Sequence, residues 1–353
     1  MAPVDLVDRM RAWSYARQRI GDPARTVEEA LGAVVGVYST HPTAPLALWV
    51  RTRSFSAATY RQLDRDRRGL RVPGMRRTIF LVPRRDAARI FTAVRASPAH
   101  ALRPLQRDGL SRQDYECHSE RILSAAREPR PKRALEDATG LDGPRLGTVL
   151  RCLRYEGRLL TLAGGSLLMS PHRYVATSAW APEGLEVDDR TGSLAWLAGE
   201  YLHAYGPARV TDFAWWAGVP RGSAGRALER HDTVDVGGGL LLRARDEASF
   251  AAVRRLRNAV ALLPKWDSYT MGHAPDGRQR LVHPGAQDRV YTPIGVGLSG
   301  DGNPVVLADG EAVATWTYSL KDGPAVQPFE RLGARTRSRV EEKLDAVVSL
   351  LAS

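Results

Sequence analysis

Cysteine is nearly absent: the 353 residues hold two, Cys117 and Cys152, isolated and with no CxxC spacing. That argues against a disulfide framework and a thiolate zinc site and fits a reducing compartment, so the expected location is the cytoplasm. No apolar run reaches the roughly 18–20 residues that a bilayer crossing needs, and the opening MAPVDLVDRMRAWSYARQRI has no apolar stretch of the secretory kind. The histidines show no HxxxH or HxH ligand spacing, so no metal is predicted. Walker A and Gly-x-Ser-x-Gly sequences are missing. Gly237-Gly238-Gly239 does not open a helix after a strand, as a dinucleotide loop would, and reads as a hairpin tip. No cofactor is expected.

Lysine is scarce too. Lys132, Lys265, Lys321 and Lys343 are the four lysines among 51 basic residues, and the formal net charge is +12. Residues 51–100 carry thirteen arginines against Asp64, Asp66 and Asp86. Guanidinium forks match phosphate oxygens in pairs, so a concentration of arginine points to a polyanion, the alternative being a solvated basic surface. Arg51, Arg53, Arg76 and Arg77 are the expected phosphate contacts. A hydrophobic content of 43% supplies the apolar material for several compact units.

One pattern recurs three times: a short helix, a turn, a second helix, then two short strands. In the first copy (26–83), TVEEALGAVVGVYS is apolar at helical spacing behind a Thr26 cap, with Glu29 three residues on. APLALWVRT and the Ser56-capped SAATYRQLDRDRRGL follow, then RVPGMRRTIFLVP as a hairpin turning at Pro73-Gly74. The second copy (132–170) is KRALEDATG, GPRLGTVLRCLRYEGR and a hairpin about Gly164-Gly165. The third (208–245) is ARVTDFAWWAG, PRGSAGRALERH and TVDVGGGLLLRA. Such an order describes a winged helix, whose second helix enters the major groove while the hairpin touches flanking backbone. Residues 105–130 read as a linking helix, 259–320 as a small antiparallel sheet or barrel, and the C-terminus as an amphipathic helix.

The expected fold is therefore α+β, mainly α. A first winged helix with an Arg-rich face spans 1–100. A second, with its linking helix, spans 101–190, a third spans 191–258, and a small β domain with the terminal helix spans 259–353.

In that order the segments resemble the AlkZ/YcaQ-type winged-helix DNA glycosylases. GVYSTHPTAPLALWVRTR (36–53) is similar to the family's active-site loop, and RVPGMRRTIFLVP to its first wing. VLRCLRYEGRLL, YGPARVTDFAWWAGV, ALLPKWDSYTMGH and VYTPIGV are similar to the segments that follow. The resemblance implies excision of bulky or N-alkylated purines from duplex DNA, in base excision repair or genotoxin self-resistance, with no membrane and no protein partner required. The family's Gln–aliphatic–Gln or Gln–aliphatic–Asp signature falls here on Tyr38-Ser39-Thr40, followed by His41. The wing's Gly-Thr-aliphatic-His falls on Arg77-Thr78-Ile79-Phe80. Both polar members of the signature and the wing histidine are thus replaced.

A glycosylase must stabilise an oxocarbenium-like sugar and orient one water. His41 is the candidate general base, because neutral imidazole accepts a proton near pH 7. Tyr38 and Thr40 are candidates to hold the water; the alternative is that Thr40-His41 serves the turn before Pro42. Asp267 falls where the resemblance implies an acidic residue, and the alternative is that it orients an arginine or caps a turn. Phe213, Trp215 and Trp216 read as core. A non-catalytic DNA-binding protein is the second functional reading.

Overall fold

Local capping sets the helix starts where the sequence places them. Thr26 Oγ1 accepts from the Glu29 amide at 3.2 Å, and the Ser56 hydroxyl accepts from the Thr59 amide at 3.2 Å. A computed structural model of the chain describes residues 5–40, 42–163, 166–168, 172–292 and 301–352.

The first unit has helices Val27–Ala33, Thr43–Arg51 and Ala57–Arg65 and the hairpin strands Gly69–Pro73 and Ile79–Pro83. A short strand, Val37–Tyr38, adds to the second hairpin strand and closes a three-stranded antiparallel sheet. Pro73 is still in the ladder opposite Ile79, so the turn is the five-residue stretch 74–78 rather than Pro73-Gly74. Arg76 and Arg77 stand at its tip.

The second unit repeats the order. Helices Arg112–Ala125, Lys132–Thr139 and Gly143–Tyr155 precede strands Leu159–Leu162 and Arg173–Ala176, with Arg130–Pro131 as the added strand. The region expected to be a linking helix is thus the unit's own first helix, preceded by a separate short helix at Arg103–Arg107. Tyr115, Ile122, Leu135, Leu146, Val149 and Leu150 form its separate core. The return strand begins at Arg173, later than the sequence reading put it, and Gly164-Gly165 lie outside the described residues.

The third unit has helices Arg190–Tyr205, Val210–Ala217 and Arg221–Leu228 and a hairpin of Thr233–Asp235 with Leu241–Arg243. Its tip is the triple glycine, and an isolated bridge from Ala208 to Leu241 stands in for the added strand.

The first and third units share one apolar core. Leu70, Val72, Phe80 and Ile90 pack in a single cluster with Leu197, Tyr201, Phe213 and Trp216. A second cluster joins the first unit's helices to the C-terminal part, through Leu31, Leu48, Leu262, Val306, Trp316 and Val347. That part is a four-stranded antiparallel sheet of Val260–Leu263, Val305–Ala308, Glu311–Ser319 and Gly323–Pro328, with the helix Ala334–Leu351 against it. It is less β-rich than expected, because 268–290 is a run of short helical turns. The N-terminal helix Leu6–Arg17, which the sequence reading did not assign, packs on the third unit. The whole is α+β and mainly α. Among the described residues no helix is long and apolar enough to cross a membrane.

Candidate DNA-facing site

The loop that carries the candidate residues is held in a costly backbone conformation. Val35 has φ +58° and Gly36 φ +107°; a β-branched residue rarely takes such a φ, and strain of this kind gathers at functional sites. A Cβ on Gly36 would lie 2.7 Å from Val82 Cγ1 and 2.9 Å from the Leu81 carbonyl oxygen, so only glycine fits. The turn places Val37 and Tyr38 opposite Leu81 and Phe80 in the sheet.

The half-buried Tyr38 ring meets Phe80 edge-on, with centroids 6.0 Å apart, and lies 4.8 Å from the Trp266 ring. Trp266 is another residue at positive φ, +56°. Burial raises the Tyr38 hydroxyl above its ordinary pKa, against the pull of Arg76. Ser39 donates its amide to the Ile79 carbonyl, and the Thr40 carbonyl accepts from Ala44 and begins the next helix. The Ser39 and Thr40 hydroxyls are both buried with no hydrogen-bond partner among the described residues. A buried hydroxyl left in this way is one that an ordered water would satisfy. His41 lies outside the described residues.

Asp267 is elsewhere engaged. It is fully buried, and Oδ1 and Oδ2 accept from Arg51 at 2.7 and 2.8 Å. Oδ1 also accepts from the Tyr269 amide at 2.8 Å. Both oxygens are spent on an arginine and a turn, so the carboxylate orients Arg51 and caps the short helix Ser268–Met271. The same pair corrects the expectation for Arg51. Its guanidinium is 0% exposed and already neutralised by the Asp267 carboxylate, so it is not available to a phosphate. The carboxylate on the loop's side is Asp301, which accepts from Trp266 Nε1 and Lys265 Nζ, both at 2.9 Å. Although partial burial works the other way, these two donors hold its pKa below the usual carboxylate range.

The arginine concentration in 51–100 is partly neutralised in space. Arg51, Arg53, Arg68, Arg71, Arg84, Arg85 and Arg95 each have a carboxylate partner. Five of those acids, Asp22, Glu28, Glu183, Glu186 and Asp267, come from outside the segment, so a local charge count overstates the basic face. Arg53 is exposed but bound to Asp22 at 2.7 Å. Arg77 is exposed at the wing tip, and no ion pair holds it among the described residues.

Arg76 is half-buried and has its guanidinium carbon 4.0 Å from the centre of the Trp215 ring. The wing tip sits tightly on the third unit: a Cβ on Gly218, which caps the helix Val210–Ala217 at φ +74°, would come within 2.9 Å of Arg76 Cα. Burial and the neighbouring Arg278 lower the Arg76 pKa to about 10. Phe213 and Trp216 are core as expected, whereas Trp215 is half-buried between Arg76 and Arg278. Arg278, Trp266 and Asp301 escaped the sequence reading. PDGRQR carries no signature, and Trp266 reaches Tyr38 only because the chain folds back over more than two hundred residues.

A DNA glycosylase AlkZ of Streptomyces sahachiroi has a similar structure, with a TM-score of 0.76 over 98% of this chain and 96% of that one, at 19% sequence identity. No curated protein matches the sequence. The family described as DNA glycosylase AlkZ-like matches residues 31–350. With nearly the whole chain matched, this protein belongs to the AlkZ-like DNA glycosylase family.

Proposed function

We propose that this chain is a monofunctional DNA glycosylase hydrolysing the N-glycosidic bond of bulky or N-alkylated purines in duplex DNA, without a cofactor. Its three helix–helix–hairpin units act as winged helices on the duplex, and Arg53, Arg76 and Arg77 contact phosphates. The observation that carries this reading is the strained 35–40 loop. It sets the Tyr38 ring against Phe80 of the arginine-bearing wing and is followed by Ser39 and Thr40, whose buried hydroxyls have no partner among the described residues.

In the reaction a water oxygen bonds to the anomeric carbon as the C–N bond breaks, and the bonding pair leaves with the base. Alkylation makes that base cationic and therefore a good leaving group, so modest help suffices. Tyr38 and Thr40 hold the water through their hydroxyls, and His41 takes its proton. Asp267 has no part in this step, because Arg51 occupies it.

The test is an excision assay on duplexes carrying 7-methylguanine or a bulky N7 adduct, read by alkaline cleavage at the abasic site. Release of either base supports the reading. The replacement of both polar signature positions by Tyr38 and Thr40 favours a second reading, a non-catalytic damage-binding protein. Tight binding to adducted duplex with no release would establish that one instead.

A further inference from the structure

Arginine is costly to bury, because its charge cannot be titrated away at neutral pH. Three of the deeply buried arginines are matched by oxygen. Arg51 has Asp267, Arg71 has Asp64 and Tyr60, and Arg280 donates to the Pro207 carbonyl at 2.6 Å. Arg278 is different. It is 2% exposed, and its Nε and Nη2 have no acceptor among the described residues. It rests instead on two ring faces, with its guanidinium carbon 4.0 Å from the centre of Tyr291 and 4.9 Å from that of Trp215. Arg76 shares Trp215 with it and also has a buried Nη1 without a partner. Neither arginine forms an ion pair among the described residues, which include every Asp and Glu of the chain.

The placement is enforced. Arg278 lies in the helical turn Pro275–Arg280, which Asp212 and Asp276 hold at its N-terminal end and the Arg280–Pro207 contact at the other. Asp212 Oδ1 accepts from the Ala274 amide at 3.0 Å, and Arg209 bridges Asp212 and Asp276 at 3.0 and 2.8 Å. Arg76 is held by the left-handed wing tip against Gly218. Two like charges are therefore fixed around one indole without a counterion, at a cost in stability that an arriving anion would offset.

We propose that Arg76 and Arg278 form a dedicated seat for a single backbone phosphate of duplex DNA, on the wing side of the 38–40 loop. The proposal rests on the reading that this chain acts on DNA. A phosphodiester brings one negative charge and two acceptor oxygens, which suits two guanidinium groups that no carboxylate neutralises. A cationic N-alkylated purine would be repelled there. The seat thus sorts the nucleotide, taking the phosphate beside Trp215 and leaving the base to the Tyr38 side. The half-buried Arg76 is the outer member and Arg278 the inner one.

The experiment compares the wild type with Arg278→Met, Arg76→Met and the double variant. Duplex affinity is measured across a salt series, and thermal unfolding is followed without DNA. Each single variant and the double should lose about one unit of salt slope, since both arginines serve one phosphate. Between 50 and 200 mM salt that loss reads as a roughly three- to fourfold weaker dependence. Arg278→Met should unfold no earlier than the wild type, because an uncompensated buried charge is removed. A neutral methylphosphonate stepped along the duplex should find one linkage that weakens the wild type and leaves Arg278→Met unaffected. An unchanged slope and affinity in Arg278→Met, or earlier unfolding with wild-type binding, would overturn the seat and make Arg278 a packing residue. A wild type that binds no duplex would overturn the DNA reading and the seat together, which distinguishes the two failures.

Discussion

Arg51 and Asp267, 216 residues apart in the chain, form a two-pronged ion pair in the interior, with both side chains fully buried. The pair ties the helix that follows the candidate loop to the C-terminal segment, and Gln18 and the Ala47 carbonyl take further Arg51 donors. Removing one partner leaves the other charge uncompensated, which costs about 3–5 kcal/mol. Asp267→Ala should therefore lower the unfolding midpoint strongly, and Arg51→Met with Asp267→Leu should recover much of the loss. Denaturant melts of the three proteins read this directly. A stable but inactive Asp267→Ala would return the carboxylate to the chemistry.

Salt dependence separates the remaining arginines. Arg77 is exposed at the wing tip and Arg53 is already matched by Asp22. Arg77→Ala should flatten the plot of log affinity against log salt by about one unit, and Arg53→Ala by clearly less. Equal effects from the two would mean that Asp22 releases Arg53 to the DNA.

The half-buried His203 and the buried His273 make the fold sensitive to acid. Burial, reinforced by Arg243 and Arg17, pushes His203 down to about 4, and its Nδ1 accepts from Arg243 at 2.5 Å. Burial pushes His273 down to about 3. Both folded values lie below the ordinary 6.5, so the unfolded chain takes up protons that the folded chain refuses. Stability is complete above about pH 6.5 and is lost as the pH falls towards 4. His203→Gln should flatten the fall in melting temperature between those values. A slope identical to the wild type would assign the acid sensitivity to other groups.

How much of this was legible follows from the range of each interaction. Helix starts at Thr26 and Ser56 and the triple-glycine hairpin are local matters, and the sequence shows them. The helix–helix–hairpin order survives because each unit repeats the same local signals. The fates of Arg51 and Asp267 could not be read locally, because each is decided by a partner over two hundred residues away. The arginines of 51–100 misled for the same reason: of the seven that have a carboxylate partner, five take it from outside the segment. Arg278 gave no signal at all, since what sets it apart is the lack of an acceptor among the described residues, which only packing reveals.

The proposed catalysis turns on the four-residue stretch Tyr38-Ser39-Thr40-His41. His41 is its one group that ordinarily titrates near neutrality, and His41→Ala should lower base excision by about 10²–10⁴-fold, the usual contribution of a general base. Duplex binding should be unchanged, which separates a catalytic loss from a folding defect. The wild-type rate should fall as the pH drops through the imidazole range, because the protonated ring cannot accept the water's proton. Thr40→Ala and Tyr38→Phe remove the hydroxyls that would hold the water, and each should cost less than the histidine. Thr40→Ala should be the more informative of the two, because its buried oxygen has no other partner among the described residues and its loss leaves the packing nearly unchanged. Single-turnover rates on a 7-methylguanine duplex measure all three. If His41→Ala excises at the wild-type rate, the base is another group, and Asp301 is the next to test. It is ionised at neutral pH, hydrogen-bonded to the indole that packs on Tyr38, and free of the interior pairing that removes Asp267.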